Sequence, residues 1–334
     1  MSDAVLPRTM TAWAQSRYGG PEEVRAETVE LPTPGAGQVL LRVRAVGLNA
    51  GDVRVMRGDP RLIRLFFGLR RPRIAVRGMD VAGTVVAVGP GVTGLALGDE
   101  VVGELPGGGL APFALAPSGR LVPRPIAVDA GAAAALPIAG GTAWQALERA
   151  GVVAGDRVLV IGASGGVGTF AVQLATDRGA EVWALCGARN RGLVEGLGAT
   201  RVFDYRRVQP GAPELPAGSF DHVIDVAGTA PLGALQRLVR PGGSVVLVTG
   251  DGGSVLGPIP RILRAAVRSI GSRRRLHPLA ATAKPDVLAT LLQLVADGRV
   301  TPVIERTFPL GDARAALAHV DAGHTVGKVV VQPA

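Results

Sequence analysis

One run constrains this chain more than any other: VLVIGASGGVGTFAVQLA, residues 158–175, where a short apolar strand gives way through a glycine-rich turn to a segment with helical spacing. As a bare pattern GxxGxxG carries little weight in a chain with 48 glycines. Its placement is what counts. Between a buried strand and a helix, Gly162 permits the tight turn, Gly165 and Gly166 let a pyrophosphate approach the backbone, and Gly168 lets helix and strand pack closely. The helix N-terminus adds unpaired N–H groups and a partial positive charge. The run therefore predicts a dinucleotide-binding turn.

The surrounding pattern agrees. After Pro125, strands and helices alternate: Arg157 to Ile161, a helix from Val167 to Asp177, Glu181 to Leu185, a helix from Asn190 to Leu197, then Val202-Phe203, His222 to Asp225, a helix from Leu232 to Leu238, and Ser244 to Val248. Such alternation predicts an α/β fold with a doubly wound parallel sheet. Before Pro125 the texture is strand-like, with period-two alternation from Val39 to Val46 and short runs at Val81 to Val88 and Glu100 to Val102. The tail turns again to strand, helix and strand, near Thr301 to Phe308, Asp312 to Val320 and Lys328 to Val331, as if returning to another sheet. A length of 334 residues fits two compact units.

The identity of the dinucleotide rests on the end of the second strand, where a carboxylate would grip the ribose hydroxyls of NAD. The segment reads Leu185-Cys186-Gly187-Ala188-Arg189-Asn190, with no carboxylate. Arg189 offers a planar fork to a 2′-phosphate instead, which favours NADPH.

Composition excludes several other functions. Of 36 basic residues only Lys284 and Lys328 are lysine, and the net charge of +9 reads as arginine-rich compositional bias. Aromatic residues make up 4%, so a nucleic-acid-binding surface lacks its stacking platform. The single Cys186 excludes an internal disulfide framework and suits the cytoplasm. His222, His277, His319 and His324 are scattered, so no zinc site is expected. No secretory signal is expected from MSDAVLPRTM, nor an integral membrane segment from Ala127 to Trp144, which Asp129, Pro137 and Gly140-Gly141 interrupt. Two basic stretches, 61–73 and 260–278, are candidate lids over a substrate cleft. In the second, Ile262, Leu263, Ala266, Val267 and Ile270 recur at helical spacing between arginines, and the expectation is a helix packed on its own domain rather than a membrane contact.

Taken together, VGLNAGDVRVMRGD (46–59), RGMDVAGTVVAVGPGV (77–92), GDEVVG (98–103), GASGGVGTFAVQLA, LGATRVFDY (197–205) and GHTVGKVVV (323–331) resemble the zinc-independent quinone oxidoreductase branch of the medium-chain dehydrogenases/reductases over nearly the whole chain. The resemblance implies a GroES-like β-rich catalytic domain formed by residues 1–127 and 273–334, with a Rossmann domain inserted at 128–272. It implies that Thr142, Gly165, Gly166 and Val167 line the pyrophosphate and that Arg189 and Tyr205 form a 2′-phosphate site; Thr249 is counted with the cofactor-binding residues. Asn49 and Asp52 would face the nicotinamide, though Asn-Ala-Gly-Asp also reads as turn chemistry. Lys328 has the reach for a cofactor or the domain cleft, but reads more simply as a solvated residue at a strand end.

Zinc-dependent relatives carry a cysteine in the segment aligned with Leu48 to Asp52 and a Gly-His-Glu aligned with Gly78-Met79-Asp80. Without a Lewis acid, a conjugated acceptor is easier to reduce than an isolated carbonyl, because hydride delivered to its β-carbon leaves an enolate that hydrogen bonds stabilise. The expected activity is NADPH-dependent hydride transfer to a quinone or other α,β-unsaturated carbonyl. Arg54, where some relatives have a tyrosine, would help hold the oxyanion. An alcohol/aldehyde oxidoreductase and a non-catalytic NADPH-binding sensor stay open as alternatives. The family further suggests a homodimer.

Overall fold

Four residues at the end of the Arg157–Ile161 strand show how the sequence builds the central sheet. Val158 and Val160 point into one face and Leu159 and Ile161 into the other, and all four are buried. In a computed structural model, which describes residues 6–248 and 253–333, this strand lies inside a six-stranded parallel sheet. Edge to edge its strands are Arg201–Asp204, Glu181–Cys186, Arg157–Ile161, Phe220–Asp225, Val239–Leu247 and Arg275–Pro278. In chain order that is 3-2-1-4-5-6, the doubly wound arrangement whose direction reverses between the first and fourth strands. Ligands of such sheets bind in the crevice at the carboxyl ends of those two strands. The glycine turn begins there. The sheet runs past residue 272, where the sequence reading ends it, because Arg275–Pro278 pairs in parallel with Ser244–Leu247.

A second sheet, of seven strands, contains Ile304–Pro309, Lys328–Gln332, Gln38–Leu48, Asp80–Val88, Glu100–Glu104 and Leu121–Pro123 in that order, with Phe113–Pro117 also on Gln38–Leu48. Both chain ends contribute to it. Lys328–Gln332 pairs antiparallel with Gln38–Leu48, which explains why the terminal strand-helix-strand has no place in the parallel sheet. Thr9–Ala14 and Arg25–Glu30 form a separate antiparallel pair.

The alanine-rich stretch from Ala127 to Trp144 folds into the helices Ala130–Ala134 and Pro137–Ala150. Their small side chains let the two sheets approach. Ala45, Ala82 and Val102 of the second sheet share one apolar core with Ala134, Ala139 and Ala143 and with Val158 and Val160 of the parallel sheet. No helix among the described residues is long and apolar enough to cross a membrane.

Candidate active site and cofactor cradle

At Gly162 the backbone adopts φ +85°, open to glycine and strained for other residues, and its N–H donates to Leu185 O at 3.0 Å. Gly165 then caps the Gly166–Asp177 helix in an extended conformation. The first intrahelical bond runs from Thr169 N–H to Gly165 O at 2.9 Å, so the N–H groups of Gly166, Val167 and Gly168 precede it and are left for a ligand. Two glycines here work differently. A Cβ at Gly168 would lie 2.1 Å from the Gly162 carbonyl, so this glycine closes the helix onto the strand. A Cβ at Gly165 would meet nothing nearer than the same oxygen at 3.5 Å; the space beside it is a cradle that only a side chain or a ligand would fill. Ala139 approaches Gly166 from the Pro137–Ala150 helix, and Thr142, buried, follows one turn later on the same side.

The ends of the second and third strands lie together. Tyr205 N–H donates to Cys186 O at 3.0 Å, and the exposed Tyr205 ring stands 3.7 Å from the Cβ position of Gly187. Arg189, exposed in the short helical turn Ala188–Asn190, donates from Nη2 to His324 O at 3.1 Å. Arg206, which the sequence reading passed over, holds its guanidinium 5.8 Å from the Tyr205 ring centre, so two cations and a phenol share this corner with one carboxylate, Asp204, whose Oδ1 accepts from Arg206 N–H at 3.1 Å. Burial pushes the Cys186 thiol up to about 11, which keeps it a thiol beside this site. Thr249 lies outside the described residues.

Opposite the cradle is a buried polar cluster. Asn49 precedes the Ala50–Arg57 helix, and its backbone N–H donates to Asp52 Oδ2 at 3.0 Å. Asp52 Oδ1 accepts from Gly78 N–H at 3.0 Å, so both carboxylate oxygens brace backbone and tie the helix start to the loop before the Asp80–Val88 strand. Asn49 Nδ2 donates to Asp80 Oδ2 at 2.9 Å, and Lys328 Nζ donates to Asn49 Oδ1. Lys328 Nζ is 3.7 Å from Asp80 Oδ2, with the two side chains 2% and 0% exposed. Burial drives the Asp80 carboxyl up to about 7, against the pull of Lys328, and drives Lys328 down, against the pull of Asp80. Burial also raises Asp52 and lowers Arg77, a buried guanidinium facing Asp52. Arg54 is on the exposed side of the same helix, away from Asp52, Val55 and Met56, which are buried.

Cradle and cluster meet at one seam. Gly327 N–H donates to Ser164 O at 2.9 Å, Gly165 and Gly327 bridge in parallel, and Lys328 Cδ lies 3.3 Å from the Cβ position of Gly166.

Residues 35–126 match the alcohol dehydrogenase GroES-like domain family, and residues 197–331 the zinc-binding dehydrogenase family. A chloroplast envelope quinone oxidoreductase homolog of Arabidopsis thaliana is 38% identical, covering 98% of this chain and 99% of that one. The chain belongs to the quinone oxidoreductase branch of the medium-chain dehydrogenases/reductases. An NADPH-dependent alkenal/one oxidoreductase of the same plant is 32% identical over 99% of this chain and 82% of its own. The solved quinone oxidoreductase of Coxiella burnetii superposes with a TM-score of 0.85 at 26% identity, over 98% of this chain and 100% of that one. This medium-chain reductase is thus an oxidoreductase that uses a pyridine nucleotide.

Two site residues escape a reading of this reductase's sequence by local pattern. Asp80 looks like an acid at a strand start, and Lys328 like a solvated lysine at a strand end. The solvated reading is wrong: Lys328 sits on a strand flanked by Ile304–Pro309 and Gln38–Leu48, and its ammonium is enclosed by Asn49 and Asp80. The available signal was compositional, since Lys328 is one of two lysines among 36 basic residues.

Proposed function

We propose that the protein is an NADPH-dependent reductase of quinones and other α,β-unsaturated carbonyls that works without zinc. One observation carries the reading: beside a cradle with room for a pyrophosphate, the end of the second strand, where a carboxylate would select NAD, has none and is flanked by Arg189, Tyr205 and Arg206, while the nearby Asp204 is engaged by the Arg206 N–H. Gly162, Gly165, Gly166, Val167 and Gly168, with Thr142, would hold the pyrophosphate. Arg189 and Tyr205 would hold the adenosine side and its 2′-phosphate; Thr249 is also counted with the cofactor-binding residues. The cofactor supplies hydride to the β-carbon of the acceptor.

The chain's own part is to position and to exclude water. Asn49 faces the nicotinamide in this reading, and its amide is held from both ends, by Asp80 at Nδ2 and Lys328 at Oδ1. Asp52 is a positioning residue, because both its oxygens hold backbone. Arg54, exposed on the helix that Asn49 precedes, is available to hold the oxyanion, and solvent delivers the proton. Where the zinc-dependent pattern has a histidine, Met79 places its methyl 3.1 Å from the Cβ position of Gly51. That pocket lacks both thiolate and imidazole, a poor donor set for zinc. Among the described residues no cluster of three His, Cys, Asp or Glu is placed to hold a metal. The quinone and alkenal/one names of the relatives support the same acceptor class. The reading includes a homodimer working from the cytoplasm.

The test is NADPH oxidation followed at 340 nm with an ortho-quinone, a cyclic enone, an enal and a saturated aldehyde, each repeated with NADH. Turnover of the conjugated acceptors with NADPH preferred is expected. Turnover of the saturated aldehyde alone, or one zinc per chain by elemental analysis, would overturn the proposal.

A further inference from the structure

Two acids face each other across the second sheet at the edge of the polar cluster. Asp80 and Glu104 are partners in the antiparallel ladder between the Asp80–Val88 and Glu100–Glu104 strands. Residues directly opposed in such a ladder share a face, with Cβ atoms about 5 Å apart. The next pair on that face, Ala82 and Val102, belongs to the apolar core shared with the Pro137–Ala150 helix, so both acids stand at the junction of the two sheets.

Asp80 uses its two oxygens unequally. Oδ2 accepts from Asn49 Nδ2 at 2.9 Å and from Ile138 N–H at 3.2 Å, and Lys328 Nζ lies 3.7 Å from it. Oδ1 is buried and has no hydrogen-bond partner among the described residues. A buried charge is costly where its atom has nothing to bond, and Oδ1 is the oxygen on which a proton relieves that cost. Glu104 is the half-buried member of the pair, and its carboxyl makes no hydrogen bond or ion pair with any described residue. With Arg120, Pro137 and Lys284 it lines a cavity of about 10 Å³, room for about one water molecule, so a proton has access to the pair on this side. Burial raises both carboxyls. Asp80 reaches about 7, Glu104 and Asp52 adding to the rise against Lys328 and the Asn49 amide; Glu104 rises with help from Asp52 and against Arg120, while Arg77 offsets Asp52. Two opposed acids in such surroundings titrate as a pair.

Lys328 carries the state of the pair to the cradle. Its ammonium lies between Asn49 and Asp80, and its Cδ is 3.3 Å from the Cβ position of Gly166, in the turn that would hold the pyrophosphate. With Asp80 ionised, the positive charge of Lys328 is answered inside the cluster. With a proton on Oδ1, that charge is left for an anion in the cradle.

We propose that Asp80 and Glu104 form a shared-proton pair that takes up a proton when a dinucleotide enters the cradle, and so couples cofactor affinity to pH. The coupling rests on the reading of that turn as the pyrophosphate site, and not on which acceptor is reduced. Its sign follows from charge. Phosphates brought beside Lys328 draw off its pull on Asp80 and raise the pair further, so the bound form holds a proton that the free form has begun to lose, and affinity falls as pH rises through about 7.

The experiment is calorimetric titration of the whole protein with NADH, which lacks the titratable 2′-phosphate, in HEPES and in Tris near about pH 7.5, with Kd followed from about pH 6 to about pH 9. Heats that differ between the buffers by a fraction of a proton taken up are expected, with Kd rising about tenfold across the range, the worth of a charge-assisted contact. Glu104→Gln removes the opposing charge and should move the fall in affinity to lower pH. Asp80→Asn should abolish the uptake, and urea unfolding of both variants reports that they are folded. Equal heats in the two buffers, a pH profile unmoved by Glu104→Gln, or uptake that survives Asp80→Asn and so belongs to Lys328 would overturn the proposal. Failure of NADH and NADPH alike to bind at any pH would instead overturn the cradle itself.

Discussion

The glycine turn and the polar cluster under Asn49 meet at Gly327 and Lys328, but they are built from opposite materials. The turn is neutral backbone shaped by missing side chains, with N–H groups left over for an anion. The cluster is full of charge, and Asn49, Asp52, Asp80 and Lys328 in it are bonded to one another or to backbone. The contrast teaches where each region is vulnerable. Added volume should damage the turn at any pH, whereas loss of a partner should damage the cluster in a way that depends on pH.

The largest effect is expected from Lys328→Met, which leaves Asp80 buried without its cation and should cost roughly 3–5 kcal/mol. The sign follows from proton binding. Burial already holds Asp80 near 7 against an ordinary 3.8, and without Lys328 it goes higher. The folded variant keeps a proton that the unfolded chain releases, so stability falls as pH rises from the ordinary value through the raised one. Urea unfolding should show the deficit greatest near about pH 9 and smallest near about pH 4. Adding Asp80→Asn should recover part of it. A deficit that does not vary with pH would mean that packing, rather than charge, holds the cluster together.

Next in size is the NADPH corner. Arg189→Ala should weaken NADPH by roughly ten- to a hundredfold, the worth of a charge-assisted hydrogen bond, and leave NADH unchanged. Equal weakening of both in fluorescence titrations would take the 2′-phosphate away from Arg189.

The glycines sharpen the comparison further. Gly168→Ala should lower stability by about 1–3 kcal/mol, because its Cβ would strike a backbone carbonyl. Gly165→Ala, with room for its Cβ, should change the unliganded melting temperature little and still weaken the dinucleotide. If Gly165→Ala leaves affinity intact, the pyrophosphate does not lie there. The smallest effect is expected at an exposed charge pair: Glu195→Gln removes the Arg191 contact at 2.8 Å and should leave the urea midpoint where it was.

Legibility in the sequence divides along the same line. Gly162 to Gly168 was readable because strand, turn and helix are contiguous and each glycine's reason is local. The amino acids of the second strand end, with Arg189 and no acid, were equally plain. Asp52 carried two readings, a residue facing the nicotinamide and turn chemistry, and both its oxygens hold backbone, which is the local one of the two. Lys328 was misread because its enclosure depends on strands some 280 residues apart in the chain, from Gln38–Leu48 to Lys328–Gln332. The Ile259–Ser269 helix does pack on its own domain, as its sequence leads one to expect, but the side by which it packs was not legible, for a related reason. Its periodicity showed that one side is apolar, but the partners of its polar side, Asp225, Gln236 and Leu276, come from other elements.

The sequence by itself determined the alternation of strands and helices, the glycine turn and the absence of an acid at the second strand end, because periodicity and turn chemistry act over a few residues. Only the tertiary structure decided which charges are buried and which apolar face is left out. Burial depends on what the rest of the chain brings alongside, and no local pattern contains that information.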